Sequence, residues 1–292
     1  MSRINPLKSD PTRTATIRRR FVAALKRRFK RLAAVIVAKV LDEDAFGLAP
    51  RYTMLPEMNT LTINLEWAAL SSKDQASAFR EWLATQISVE ILTALNTSES
   101  AWWNAYIQQA FEKGFARSFD DMAKAGMFDG SLPAHFYAGN KEEFLRSAFL
   151  QPVTQEKIQL LAERVFTELE GMTSAMAQKL TRALIDGLVA GNGPREIARD
   201  IVRQLEIAYP RAETIARTEI IRAHAEGQLD LMEKMGATRL KVMVEWSTAG
   251  DHRVCPRCAD KEGVVLSIEE ARGLIPLHPN CRCAWIPANV GE

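Results

Sequence analysis

The chain's four cysteines, Cys255, Cys258, Cys281 and Cys283, all fall in one short C-terminal segment, with His252 and His278 among them. The segment reads Asp251-His252-Arg253-Val254-Cys255-Pro256-Arg257-Cys258 and later His278-Pro279-Asn280-Cys281-Arg282-Cys283. A Cys-x-x-Cys knuckle can present two thiolates to one tetrahedral ion, and a second cluster can close the shell. Soft thiolates with an imidazole favour Zn²⁺ over harder ions. Four of the five donors Cys255, Cys258, His278, Cys281 and Cys283 would suffice for a structural zinc site, with His252 as a weaker sixth. The Cys-x-Cys spacing strains two ligands on one ion, so one of the last three can stand outside the shell. Disulfides between the clusters, free thiols, or a redox Cys255/Cys258 pair are the other chemistries this pattern allows. Catalytic zinc would also require an open position and a general base. Asp260 and Glu262 lie nearby, but nothing in the pattern selects them.

A second chemical signal lies at the opposite end. Residues 1–40 hold twelve Lys or Arg and a single acid, Asp10, although the 292-residue chain has a formal net charge of only +2. A basic arm on a mildly acidic body points to a polyanionic partner of its own. Arg13, Arg18, Arg19, Arg20, Lys26, Arg27, Arg28, Lys30 and Arg31 are the candidate contacts to nucleic acid. Lys/Arg contacts to phosphates release counterions and give salt-sensitive, sequence-independent affinity. The plainer alternative is a solvated charged face on a packing helix.

Other titratable groups read as structural. His224 lies among Arg217, Glu219, Arg222 and Glu226, whose spacing suits ion pairs along a helix. His135 stands in a loop without a ligand partner. No Gly-rich phosphate loop, Gly-x-Ser-x-Gly or His-Glu-x-x-His motif occurs.

The elements that must position these groups are mostly helical. Residues 1–16 read as an irregular arm. From Thr16, Phe21, Leu25, Phe29 and Leu32 form an apolar stripe on a helix to about Leu41. Residues 42–62 read as a connector, and Leu61 to Leu65 as a short strand or loop edge. Phe79, Leu83, Ile87, Ile91 and Leu95 mark another helix beginning near Ser72. Ser98 is a candidate N-cap for a helix holding Trp102, Trp103, Tyr106, Ile107, Phe111 and Phe115, aromatics that read as core. A break follows from Gly126 to Gly139. One helix is expected from Thr154 to Ala190, with a bend at Gly171. A second is expected from Pro194, and a third opening at Pro210 and ending at Gly236. Leu240 to Trp246 alternates as a strand, with Val242, Val244 and Trp246 on one face. Ala284-Trp285-Ile286 closes the segment.

The fold class expected is therefore mainly α: helical N-terminal and central regions with a small α+β, Cys/His-rich C-terminal region. The composition, 47% hydrophobic and 25% charged, excludes a disordered or collagen-like chain. The longest apolar stretch is far below the roughly 20 residues of a membrane span, and the N-terminus lacks a secretory signal pattern.

Ile215-Ala216-Arg217-Thr218-Glu219-Ile220, Ala223, Gly227, Gly236, Glu245-Trp246-Ser247-Thr248-Ala249, the Cys-x-x-Cys segment, Gly263 and His278-Pro279-Asn280-Cys281-Arg282-Cys283 form an ordered set. This set resembles the phage Mu F-like head morphogenesis, or minor capsid, family over roughly residues 155–288. The resemblance implies a virion protein without enzymatic activity, made in the host cytoplasm and placed at the head interior or portal region. It implies partners in the portal protein and a major capsid or scaffold protein; the basic arm adds double-stranded DNA, bound without sequence preference, and further copies of the chain are a possible partner. From this together with the charge and periodicity readings, the chain is expected to divide into a basic arm and amphipathic helix (1–48), a helical middle domain (49–150) and a family domain with an expected zinc-binding tail (151–292). Two rival functions remain at this point: a metal-dependent enzyme carried in the virion, and a membrane-active ejection protein using residues 17–41 on anionic lipid.

Overall fold

The computed structural model describes residues 10–48, 67, 69–92, 101–127, 140–236 and 242–288. The expected 61–65 strand, the Ser98 cap, Leu95 and His135 lie outside these residues. The described elements are α1 (Ala15–Val37), α2 (Ser72–Ile87), α3 (Asn104–Lys124), α4 (Lys141–Phe149), α5 (Pro152–Ala190), α6 (Pro194–Gly236), β1 (Met243–Ser247), α7 (Pro256–Ala259), β2 (Val265–Ser267), α8 (Ile268–Ala271) and β3 (Ala284–Ala288). A mainly helical chain with a small three-stranded sheet is what the sequence leads one to expect. No helix among the described residues is long and apolar enough to cross a membrane.

The chain divides into two compact units. One comprises residues 23–102 and 166–213. Its α1 portion buries Leu25, Phe29, Leu32 and Ile36, and α2 buries Phe79, Leu83 and Ile87. These are the residues that recur at helical spacing, so burial of one stripe explains the pattern. Each of these helices ends in one wider turn, Ala38–Asp42 after α1 and Ser88–Leu92 after α2. Ser71 caps α2 by accepting from the Asp74 amide.

Two expected boundaries are corrected here. Pro210 does not open a helix but lies inside the single 43-residue α6. Its missing N–H leaves the Glu206 carbonyl without the usual donor, a cost of about 3 kcal/mol in an isolated helix. Packing offsets that cost: Tyr209 meets Phe29 edge-on at 5.7 Å, and Ala212 is fully buried. The helix carrying Phe111 and Phe115 begins at Asn104, so Trp102 and Trp103 precede it. The Trp103 backbone, not a capping side chain, receives the first helical amides. Helix α5 runs unbroken through Gly171.

The other unit comprises residues 1–22, 103–165 and 214–292. The sheet order is β2-β1-β3, both pairings antiparallel, with Trp246 opposite Trp285. Their rings meet edge-to-face at 5.2 Å, an arrangement favoured by the ring quadrupoles. Val242, Val244 and Trp246 are all buried, as alternation requires. Gln228 of α6 fastens the sheet. Its amide nitrogen donates to the Trp285 carbonyl at 2.7 Å, and its oxygen accepts from the Trp285 amide at 3.1 Å.

Helices α3 and α6 cross at backbone contact. A Cβ on Gly114 would stand 2.0 Å from the His224 carbonyl oxygen, and one on Gly227 would stand 2.2 Å from that of Phe111. Only glycine permits this approach. His224 is fully buried beside the crossing, and neither ring nitrogen has a hydrogen-bond partner among the described residues. Burial, and then the charges of Arg117, Lys113 and Arg18, pull its pKa down to about 3, so the ring is neutral.

Candidate metal centre

Two local structures bring the sulfur and nitrogen donors together. Cys255 precedes the one-turn α7, with Pro256 at its first position. The Cys258 amide donates to the Cys255 carbonyl at 3.0 Å, folding the knuckle so both thiols converge. The second cluster sits on a turn in which the Cys281 amide donates to the His278 carbonyl at 3.1 Å. Asn280 makes that turn with φ of 60°, a conformation Asn tolerates better than most residues.

The two clusters meet. His278 Nε2 lies 3.2 Å from Cys255 Sγ and 3.1 Å from Cys258 Sγ, and Cys258 Sγ lies 3.9 Å from Cys281 Sγ. Two donor groups result, Cys255/Cys258/His278 and Cys258/Cys281/Cys283, each able to hold a metal ion and both sharing Cys258. A zinc ion with bonds of about 2.3 Å to sulfur and 2.0 Å to nitrogen sets tetrahedral edges of about 3.8 Å for S···S and 3.5 Å for S···N. The observed separations match within a few tenths of an ångström. All four cysteines are free thiols. His252 is exposed and belongs to neither group.

The imidazole is set for coordination. His278 Nδ1 lies 2.7 Å from the Pro279 carbonyl oxygen. A carbonyl only accepts, so Nδ1 carries the proton and Nε2 offers its lone pair toward the two thiols. A backbone partner of this kind fixes both tautomer and ring orientation in metal-bound histidines.

The thiols respond to one another. The hydrogen bond from Cys283, then backbone hydrogen bonds at Cys283 and Leu277, pull Cys281 down to about 5 despite burial. Burial and the charge at Cys281 push Cys258 up to about 12. Cys283 is pushed up as well, first by its hydrogen bond to Cys281 and then by burial. A divalent cation would favour the thiolate form of these sulfurs because it stabilises each negative charge directly.

Hydrogen bonds and ion pairs tie the surrounding residues together. Asp251 accepts two hydrogen bonds from Arg282, at 2.7 and 2.5 Å, and two from Arg253, whose amide donates at 3.0 Å and guanidinium at 3.2 Å. The Arg282 guanidinium, foremost, holds the Asp251 carboxyl well below the ordinary range. Glu262 accepts from the Thr248 amide at 2.7 Å, a loop-closing role. Glu219 is buried and paired with Arg164 and Arg222, both at 3.2 Å. Sequence reasoning missed the link between cluster and helix. The Asn280 amide donates to Thr218 Oγ1 at 3.1 Å, while Thr218 donates to the Thr214 carbonyl at 2.7 Å. The Ala-Arg-Thr-Glu helix thus holds the His-Pro-Asn-Cys turn. Their joint presence in one ordered set was the available signal.

The basic residues divide. Arg13, Arg19, Arg20, Lys26, Arg27, Lys30 and Arg31 are exposed. Arg18 pairs with Asp10, whose carboxylate also accepts from the Thr12 amide and hydroxyl, pinning the chain ahead of α1. Arg28 stacks 4.3 Å above the Trp102 ring and donates to the Glu90 carbonyl, and Arg31 pairs with Glu90 at 2.8 Å. Arg18 and Arg28 are therefore structural in large part. Arg19, Arg20, Lys26, Arg27, Lys30 and Arg31 lie on one side of α1, flanking Ala23 and Ala34, and Arg13 precedes the helix.

Residues 178–286 match the family described as Phage Mu protein F like protein. Among curated proteins, the chain is similar to Minor head protein GP7 of Bacillus phage SPP1, at 26% identity over 138 residues. The similarity covers 42% of this chain and 44% of that protein, so the chain spans less than half the length of its curated relative. No solved structure matches the chain.

Proposed function

Starting from a chain whose residues 178–286 are a phage Mu protein F like region, we propose that it acts as a minor head protein of a tailed phage or prophage. Its work is head assembly and DNA packaging or delivery, from the head interior or portal region. The partners are the portal protein, a capsid or scaffold protein, further copies of itself and double-stranded DNA, engaged without sequence preference.

The observation that carries this reading is the union of the family's separate motifs in one site. The helix bearing Thr218, the Cys-x-x-Cys knuckle and the His-Pro-Asn-Cys-Arg-Cys turn build a single metal-organised platform. Zn²⁺ is the ion this donor set suits. Four of Cys255, Cys258, His278, Cys281 and Cys283 hold it, and its role is structural. More donors than a four-coordinate ion needs leave no open position for substrate, which argues against a metal enzyme. The DNA-facing element is α1, through Arg19, Arg20, Lys26, Arg27, Lys30 and Arg31, with Arg13 just ahead of it. A membrane-inserting role for α1 is disfavoured because its large apolar side chains, Phe21, Leu25, Phe29, Leu32 and Ile36, are buried in the fold.

The test is genetic. Particles assembled without the protein should hold less packaged DNA or deliver it poorly, and the wild-type gene in trans should restore both. Normal particle number, DNA content and infectivity without it would remove the proposal.

A further inference from the structure

Helix α1 contains no Asp or Glu in its 23 residues. Over residues 19–34 its exposed face is made only of Arg19, Arg20, Ala23, Lys26, Arg27, Lys30, Arg31 and Ala34. At 3.6 residues per turn these side chains fall into three lines along the helix. Arg19, Lys26 and Lys30 form one flank, Arg20, Arg27 and Arg31 form the other, and Ala23 and Ala34 lie between them. Arg20, Arg27 and Lys30 have no ion pair among the described residues. Arg31 pairs with Glu90 at 2.8 Å, and the Lys26 ammonium stands 6.0 Å from the Tyr209 ring centre. Lys26/Lys30 and Arg27/Arg31 are like charges four residues apart, a spacing that destabilises a helix unless a negative group answers it.

Duplex DNA offers two negative walls at a matching separation. Its major groove is about 12 Å wide and admits a helix, which with its side chains is about 10–12 Å across. The minor groove, about 6 Å wide, is too narrow for one. A helix lying along a single strand would engage one flank and leave the other in water. A helix within the major groove turns one flank toward the phosphates of each strand. Phe21, Leu25, Phe29 and Leu32 hold the opposite side of α1 in the fold, so the cationic half is the half that enters. The methyl groups of Ala23 and Ala34 let the backbone approach the groove floor. They carry no donor or acceptor with which to select a base, which suits binding without sequence preference.

We propose that α1 seats in the major groove of duplex DNA, with Arg19, Lys26 and Lys30 on the phosphates of one strand and Arg20, Arg27 and Arg31 on those of the other. This inference rests on the DNA-binding reading of α1 and adds which groove is entered and that both strands are held.

The experiment measures binding of the full-length protein to a short duplex of mixed sequence, with A·T runs, across a range of salt. Three forms are compared: unmodified, with glucosylated 5-hydroxymethylcytosine filling the major groove, and with netropsin filling the minor groove. Glucosylation should lower affinity by about tenfold or more, because it blocks the groove a helix enters, and netropsin should change it by less than about twofold. Each phosphate contact contributes about 0.9 to the slope of log affinity against log salt, so Lys26→Ala/Lys30→Ala and Arg20→Ala/Arg27→Ala should each lower the slope by about 1.8. Circular dichroism checks that these surface variants fold, and the groove comparison uses the wild type alone. Equal affinity for unmodified and glucosylated duplex overturns the inference and leaves the DNA-binding reading standing. Loss of binding with netropsin but not with glucosylation does the same by placing α1 at the minor groove. A fall in slope confined to one flank's variant assigns α1 to a single strand and also overturns it. Unchanged slopes in both variants, or no salt-sensitive binding by the wild type, bring down both readings.

Discussion

A methyl group placed on Gly227 must push two helix backbones apart. Its Cβ would stand 2.2 Å from the Phe111 carbonyl oxygen, where real Cβ atoms essentially never come closer than 3.0 Å. The obstacle is backbone, so no rotamer change relieves it. Overpacking of a tight interior costs about 1–3 kcal/mol, and a backbone clash belongs at the upper end or beyond. Replacing glycine by alanine within a helix returns about 1 kcal/mol. The expected net loss is about 2 kcal/mol, or roughly 5 °C in midpoint temperature for a chain of this size. Gly114→Ala should behave alike, since its Cβ would meet the His224 carbonyl at 2.0 Å. Gly171 on α5 has nothing within 4 Å of its Cβ position. Gly171→Ala should therefore gain up to about 1 kcal/mol from propensity alone. The assay is thermal and urea unfolding of the three variants beside wild type. Gly227→Ala as stable as wild type would refute the close crossing of α3 and α6.

The remaining expectations concern charge and metal. Protein purified under reducing conditions should hold about one zinc per chain, and Cys258→Ser, which removes the donor common to both groups, should lose it; zinc retained by the variant counts against the site. Acidification should release zinc as thiolates and imidazole reprotonate, with metal content after dialysis as the readout. His224 has a folded pKa of about 3, below its unfolded value of 6.5. Its contribution to stability is thus complete above pH 6.5 and is lost toward pH 3, at about 1.4 kcal/mol per pH unit within that window. His224→Leu should flatten that part of the stability profile in urea titrations, and an unchanged slope would contradict the buried neutral ring. Asp230 is fully buried against Lys157 and Lys234, at 2.5 and 3.0 Å. Removing both lysines should destabilise the fold by about 3–5 kcal/mol by stranding the carboxylate, whereas equal stability would show the pairs to be dispensable.

The sequence disclosed what periodicity and spacing encode. Phe21, Leu25, Phe29 and Leu32 recur at helical intervals because one face of α1 is buried, and Val242, Val244 and Trp246 alternate because one face of β1 is. The Cys255/Cys258 and His278/Cys281 pairs were legible as partners because a metal site needs two clusters on short turns. Pro210 misled because a proline is a strong local signal, overridden here by the packing of Tyr209 and Ala212. The start of α3 was displaced because Trp102 and Trp103 continue the aromatic pattern beyond the helix itself. The contacts Gly114–His224, Thr218–Asn280 and Arg28–Trp102 join residues far apart in the chain, and no local pattern encodes such pairs. The same distance hid the internal engagement of Arg18 and Arg28, which composition alone counts with the exposed cations.

The most direct test of the proposed function is quantitative mass spectrometry on heads purified by density gradient from the phage or induced prophage that encodes the chain. The protein should be present in DNA-filled heads in far fewer copies than the major capsid protein. Its absence from heads and proheads alike, with the protein free in the lysate, would contradict the assignment.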